Sequence, residues 1–167
     1  LADFLRDRRV TCLCCCPTLL ATIETELPLL RILLVGGEAC PHNLVVRWHR
    51  EGRTILNSYG PTEATVTATL TELTPDKPVT IGLPLPTYSI VVLDPDSDQA
   101  APWGKLGEIG IAGIGVAAGY LNRDDLTQRK FIPDFLGISN NPSKRIYRTG
   151  DLGRFNEDRE IEYHGRI

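Results

Sequence analysis

The first 57 residues alternate short apolar runs with mixed segments, and this alternation restricts the fold more than any other feature of the chain. Val10 to Cys16, Leu30 to Val35 and Thr54 to Asn57 are apolar runs of strand length. Pro17-Thr18 opens a helix over Leu19 to Leu27, since proline is tolerated in a first turn. Pro41 starts a second helix that runs to about Arg50 and stops at Glu51-Gly52, while Leu1 to Arg9 reads as the end of an earlier one. The order β-α-β-α-β with short connections predicts a parallel sheet with crossover helices. A continuous run such as Leu30 to Val35 is expected to be covered on both faces.

The third strand ends in Asn57-Ser58-Tyr59-Gly60-Pro61-Thr62-Glu63. Gly60 permits dihedrals that other residues resist and Pro61 withdraws a backbone donor, so the chain must turn at once. An aromatic ring, a hydroxyl and a carboxylate are thereby held together at a strand end. Those groups suit a nucleotide and its metal: stacking, a phosphate contact and an oxygen ligand. A tight turn with a solvated glutamate fits the same seven residues. Ligands of parallel sheets sit beyond the carboxyl ends of the strands, and Gly36-Gly37-Glu38 lies at such an end too. The two loops are expected to form one floor.

After Glu63 the pattern changes. Thr65 to Glu72 reads as a strand, prolines follow at 75, 78, 84 and 86, and Tyr88 to Leu93 and Leu106 to Ala112 are strands. A short helix is predicted over Arg123 to Lys130, with Asn122 as its N-cap and Asp124-Asp125 in its first turn. Arg145 to Thr149, Gly153 to Phe155 and Glu160 to Tyr163 complete a set of short strands. The expected fold class is α/β: a βαβ parallel-sheet segment over residues 1–64, then a small irregular antiparallel, barrel-like region over residues 65–167.

With 167 residues, 42% hydrophobic and 23% charged, the chain can bury a sizeable core. A net charge of −3 without basic runs speaks against nucleic acid as a partner. No apolar run approaches the ~20 residues of a membrane span. The absence of methionine, the start at Leu1 and the strand-like end at Glu160 to Ile167 suggest a piece of something longer. Cys12, Cys14, Cys15 and Cys16 lack the paired spacing of a zinc site and are expected to pack as small hydrophobes. An odd cysteine count with no secretory signal points to the cytoplasm.

Other motifs are weaker. Gly113-Ile114-Gly115-Val116-Ala117-Ala118 fits the dinucleotide fingerprint, but Gly119-Tyr120-Leu121-Asn122 is poor material for the helix that must follow. Tyr147-Arg148-Thr149-Gly150-Asp151 is a strand stopping at a glycine with an aspartate behind it. That carboxylate suits the two hydroxyls of a ribose, or simply a turn. Glu108 either faces inward to pair with a base or lies exposed. His42, His49 and His164 show no metal or triad spacing, and neither a nucleophile elbow nor a Walker loop occurs.

Five blocks in order resemble the adenylate-forming, AMP-binding enzymes, and within them the amino-acid adenylation domains of nonribosomal peptide synthetases. They are Leu34 to Glu38, Asn57 to Glu63, Gly107 to Leu121 with its Gly107-Glu108-Ile109-Gly110-Ile111 opening, Tyr147 to Leu152, and Glu162 to Arg166. The likeness covers essentially the whole chain. It implies an enzyme that uses ATP and Mg²⁺ to form an aminoacyl adenylate and then loads a phosphopantetheine carrier domain. By position, it implies that Tyr59 stacks on adenine, Asn57 bonds its amino group, and Thr62 and Glu63 are catalytic, with Glu63 binding the metal. Asp151 would hold the ribose, Tyr163 would lie along the nucleotide and Arg166 would reach its ribose or phosphates. Gly37, Glu38, Ser58 and Gly60 join the nucleotide set, and Leu34, Gly36, Ser58, Val66 and Thr67 the amino-acid pocket. Gly36-Gly37 is expected to let backbone approach the ligand.

The likeness also implies that a glycine- and serine-rich phosphate loop lies before Leu1, and a hinge and small domain with a catalytic lysine after Ile167. Ala118 stands where the family usually carries arginine. Pro61 favours the peptide-synthetase branch over acyl- or aryl-CoA synthetases. A non-catalytic interaction remnant is the alternative from another class.

Overall fold

The computed structural model describes residues 1–97 and 99–167. They form two compact units: Leu1–Ser58 with Thr71–Thr80, and Tyr59–Leu70 with Ile81–Ile167.

The first unit begins with helix α1 (Ala2–Asp7) and continues through strand β1 (Cys12–Cys15), helix α2 (Pro17–Ala21), strand β2 (Ile32–Gly36), helix α3 (His42–Trp48) and strand β3 (Thr54–Tyr59). β1 pairs parallel with β2, and β2 parallel with β3, so the βαβ expectation holds. Leu33, Val35 and Ile55 of the strands pack with Leu20, Val45 and Trp48 of the helices. The opposite face is not covered to the same degree: Ile32 is exposed and Leu34 half-buried. Cys12 and Cys14 are exposed on that open face while Cys15 packs against the core, so only part of the cysteine run packs as expected.

Helix α2 is also shorter than predicted. Thr22, Ile23 and Thr25 follow it, and β-branched residues lose rotamer freedom in a helix. The Thr22 hydroxyl donates to the Leu19 carbonyl at 2.8 Å, which satisfies the helix end. Ile23 and Leu27 still reach the core from irregular backbone. Arg53 holds this region together. It is buried, and its Nε, Nη1 and Nη2 donate to the carbonyls of Leu30, Trp48 and Leu27 at 3.0, 2.8 and 2.9 Å.

In the second unit, a 3₁₀ turn (Thr62–Ala64) precedes the start of β4 (Thr69–Glu72), whose Thr69 and Leu70 belong to this unit and pair antiparallel with β5 (Leu83–Pro84). The strand predicted from Thr65 starts four residues later because Thr65 and Val66 have φ of +52° and +71°. The larger sheet contains β6 (Tyr88–Leu93), β7 (Gly107–Gly113), β8 (Phe131–Pro133), β9 (Arg145–Phe155) and β10 (Ile161–Arg166). Its order is β10-β9-β7-β6, with β8 also paired to β9. The sheet is antiparallel and open; among the described residues no closed barrel forms. β9 joins what reads as two short strands, because Gly150, at φ +77°, absorbs the irregularity between them. Helix α4 (Asp124–Lys130) begins after Arg123; Asn122 takes φ +56° and turns the chain instead of capping it. Among the described residues no helix is long and apolar enough to cross a membrane.

Hydrogen bonds to a charged group contribute about 1.5–3 kcal/mol each, and burial leaves the abandoned carbonyls without water. Replacing Arg53 by Met is therefore expected to lower stability by about 3 kcal/mol or more. Urea unfolding checks this: an unchanged midpoint would show that the three carbonyl bonds contribute nothing net.

Candidate functional site

In the first unit, Leu34 and Gly36 lie on β2, and Asn57 and Ser58 end that unit's part of β3. Gly36 pairs with Ser58. A β-carbon on Gly36 would meet Ser58 Oγ at 2.5 Å and the Ser58 carbonyl oxygen at 2.8 Å. The glycine is thus required by its neighbouring strand, a cause different from the close ligand approach expected of it. Gly37 turns the chain at φ +81°. The Glu38 carboxylate accepts the Thr18 amide at 3.1 Å and the Thr18 hydroxyl at 2.9 Å, so in this structure it secures the start of α2. Asn57 is buried and its amide donates to the Thr80 carbonyl at 2.7 Å, which leaves its side-chain oxygen as an acceptor.

The second unit carries the denser cluster. The Tyr59 hydroxyl donates to Asp151 Oδ2 at 2.7 Å, although 92 residues separate them. Asp151 is only 7% exposed, and Arg166 Nη1 stands 3.6 Å from its other oxygen. The Tyr163 ring lies 6.3 Å from that of Tyr59, inclined at 48°. Burial first, and then the Asp151 carboxylate, push the Tyr59 phenol above its ordinary value against an opposing contact from Thr149. Tyr59 is therefore a donor at neutral pH, and Asp151 keeps lone pairs that a diol can reach.

Glu63 sits in the 3₁₀ turn, where its backbone carbonyl accepts the Ala117 amide at 2.8 Å. Tyr120 donates its hydroxyl to Glu63 Oε1 at 2.5 Å, and Tyr147 brings a second phenol within 3.4 Å of that hydroxyl. Burial disfavours charge on Glu63. The bond from Tyr120, contacts from its own backbone and Tyr147, and the charge of Lys130 outweigh burial and hold the carboxyl below its usual range. Among the described residues no group of three acidic, histidine or cysteine side chains forms a metal cage. A single ionised carboxylate fits Mg²⁺, which takes one or two protein carboxylates and fills its remaining positions with phosphate and water.

Thr62 and Thr67 flank the same turn. Val66 is 68% exposed, and both it and Thr65 hold left-handed backbone that β-branched residues rarely adopt. The Thr65 hydroxyl donates to the Gly115 carbonyl at 2.8 Å and pins the turn. Sequence reasoning missed Tyr120 and Tyr147 as partners of Glu63; the Gly-Tyr that follows the glycine-rich run was the available signal. Glu108 does face inward. Its Oε2 pairs with Arg148, 2.6 Å from Nη2 and 2.8 Å from Nε, and its Oε1 accepts the Gly150 amide at 2.8 Å. At Ala118, where an arginine is usual, the carbonyl instead accepts Arg145 Nη1 at 2.7 Å.

A family model of AMP-binding enzymes matches residues 1–121. The chain is 47% identical to novobiocin biosynthesis protein H of Streptomyces niveus, covering 98% of this chain and 27% of that protein. It is 42% identical to phosphinothricin tripeptide synthetase PhsC of Streptomyces viridochromogenes, over 99% of this chain and 15% of that one. Tyrocidine synthase 2 of Brevibacillus parabrevis is also 42% identical, over 99% and 5%. The chain thus spans about a quarter or less of the length of these relatives. Among solved structures, holo-PA1221, an NRPS protein containing adenylation and PCP domains bound to a vinylsulfonamide inhibitor, superposes with a TM-score of 0.84 at 26% identity, over 99% of this chain and 30% of that one.

The depressed Glu63 carboxyl sets a pH dependence. A group with a lowered folded pKa adds stability that is present above its unfolded value and lost as pH falls through the folded one. Tyr120→Phe removes the strongest of the contacts that hold the value down, so it should raise the Glu63 pKa and shrink this pH-dependent gain. Urea midpoints from about pH 3 to 6 would reveal it. Superimposable profiles for the two proteins would show that the hydroxyl does not act on Glu63.

Proposed function

The chain belongs to the AMP-binding enzyme family, and from that premise we propose that it is part of an amino-acid adenylation domain of nonribosomal peptide synthesis. The whole protein would activate an amino acid with ATP and pass the acyl group to the phosphopantetheine thiol of a carrier domain. The observation that carries this reading is the Tyr59–Asp151 pair with Arg166 and Tyr163 around it. Aromatic rings, a buried diol acceptor and a cation stand together, and those are the groups a nucleoside phosphate requires. The named synthetases among the relatives, and the adenylation and PCP domains of the structural neighbour, support the same conclusion.

In this reading Tyr59 and Tyr163 offer their faces to adenine, and the Asn57 side-chain oxygen accepts from its amino group. Asp151 accepts both ribose hydroxyls while Tyr59 keeps its carboxylate oriented. The amino-acid carboxylate attacks the α-phosphorus; the bond to the bridging oxygen breaks and pyrophosphate leaves, giving the aminoacyl adenylate. Thr62 donates to the α-phosphate. Glu63, held ionised by Tyr120, would ligate Mg²⁺, which when bound neutralises phosphate charge. Catalysis then consists of positioning and charge stabilisation. By the family likeness, this reading assigns amino-acid recognition to Leu34, Gly36 and Ser58 of the first unit and to Val66 and Thr67 of the second. A carrier-domain partner and a reducing, cytoplasmic setting belong to the same proposal, as does the inactivity of these 167 residues alone.

Amino-acid-dependent ATP–pyrophosphate exchange by the intact protein tests the reaction. Exchange with fatty or aryl acids only would move it to a CoA synthetase, and none with any acid would leave an interaction module. Glu63→Gln should abolish exchange while costing only the pH-dependent stability its carboxylate supplies; near-normal exchange at saturating Mg²⁺ would remove Glu63 from the metal. Asp151→Ala should raise the dissociation constant for ATP about tenfold or more, from the loss of a charged hydrogen bond. Amino-acid binding should change far less. Equal ATP affinity in the two proteins would rule out the ribose role.

A further inference from the structure

The ladder between β7 and β9 breaks beside Asp151. Glu108 faces Leu152 and Gly110 faces Arg148, so Ile109 alone stands opposite Thr149, Gly150 and Asp151. Such a bulge takes backbone groups out of the ladder, and buried ones must find other partners. The Gly150 amide donates to Glu108 Oε1 at 2.8 Å, and the Gly150 carbonyl accepts the Ile167 amide at 2.9 Å. The Thr149 carbonyl accepts Arg166 Nη2 at 3.2 Å. The Asp151 amide and the Ile109 carbonyl are both met by one side-chain atom, Thr149 Oγ1, at 3.0 and 2.7 Å.

That oxygen carries a single proton, and Thr149 is buried. The proton goes to the Ile109 carbonyl, so toward every other neighbour Oγ1 only accepts. It accepts the Asp151 amide and thereby ties the main chain of the aspartate to the bulge. The Thr149 side chain also contacts the Tyr59 phenol, which spends its own proton on Asp151 Oδ2 at 2.7 Å. Arg166 Nη1 stands 3.6 Å from Oδ1, too far for a hydrogen bond. The direction of each bond is thus set outward from the bulge. The carboxylate keeps acceptor positions only, and a ligand that meets it must bring donors.

We propose that Thr149 is a positioning residue for ribose recognition: by bridging the Ile109 carbonyl and the Asp151 amide, its hydroxyl holds the Asp151 carboxylate where a vicinal diol binds. The inference rests on the reading of Asp151 as the ribose acceptor. Thr149 acts only through Asp151, and its methyl group has no part in the role.

Isothermal titration of the intact protein with ATP and with 2′,3′-dideoxy-ATP isolates the diol. Loss of both hydroxyls should raise the dissociation constant of the natural protein about tenfold or more, as loss of charged hydrogen bonds does. Thr149→Val keeps the volume and removes both bonds of Oγ1, so the ratio between the two nucleotides should fall to about twofold or less. Thr149→Ser keeps the hydroxyl and should keep the ratio. A substitution that merely loosens the fold weakens both nucleotides alike and leaves their ratio unchanged. Thr149→Ala carries the same test should the valine protein not fold. A full ratio in the valine or alanine protein, or a collapsed one in the serine protein, would overturn the proposal while the ribose role of Asp151 stands. Equal affinity of the natural protein for the two nucleotides would instead refute that ribose role, and the proposal with it.

Discussion

The buried carboxylate of Glu108 is the contact on which the second unit's site depends. An uncompensated buried charge costs several kcal/mol, so this one dictates what surrounds it. It takes the Arg148 guanidinium on one oxygen and the Gly150 amide on the other. The β7–β9 register shifts at this point, from Glu108 opposite Leu152 to Gly110 opposite Arg148. The bulge is thereby fixed and not merely tolerated. Next to it the Thr149 hydroxyl donates to the Ile109 carbonyl at 2.7 Å and accepts the Asp151 amide at 3.0 Å. A chain of bonds from one buried acid therefore aims Asp151.

Three carboxylates of this unit meet two kinds of environment. Glu108 has one oxygen on a guanidinium and the other on a backbone amide. Asp151 and Glu63 are each met directly by a phenol, Tyr59 and Tyr120, while their cations act from farther off, Arg166 at 3.6 Å from Asp151 and Lys130 on Glu63. A phenol that remains protonated leaves the carboxylate its charge and its spare lone pairs. Such a carboxylate is fixed in position yet still able to bind.

Much of this was legible in the chain. Apolar runs with period and punctuation located the parallel strands, β6 and β7 to within a residue, and the turn at Gly60-Pro61. What was not legible had local causes. Thr65 and Val66 look like strand residues, but tertiary contacts hold them left-handed. Thr22 and Ile23 end a helix whose apolar pattern continues beyond it. The cysteine run looks like core, yet its Cys12 and Cys14 lie on the exposed side of β1. In the site, Asp151 and Tyr59 were visible as types of group, whereas the Tyr120–Glu63 bond joins residues 57 apart and has no local signature. Lys130 reads from sequence as an ordinary basic residue at a helix end; only the fold brings its charge to bear on Glu63.

The left-handed pair at Thr65 and Val66 has a further consequence. Such backbone costs a β-branched residue about 1–3 kcal/mol, and this cost comes from the main chain and not from packing. The Val66 side chain is largely in solvent, and no core cluster includes it. Selection acting on position 66 thus meets almost no resistance from the fold, and asparagine or glycine there would even relax the turn. A lineage can drift through many side chains at this point while the turn that carries Glu63 stays in place, so novelty in what the chain contacts is separable from the upkeep of its architecture.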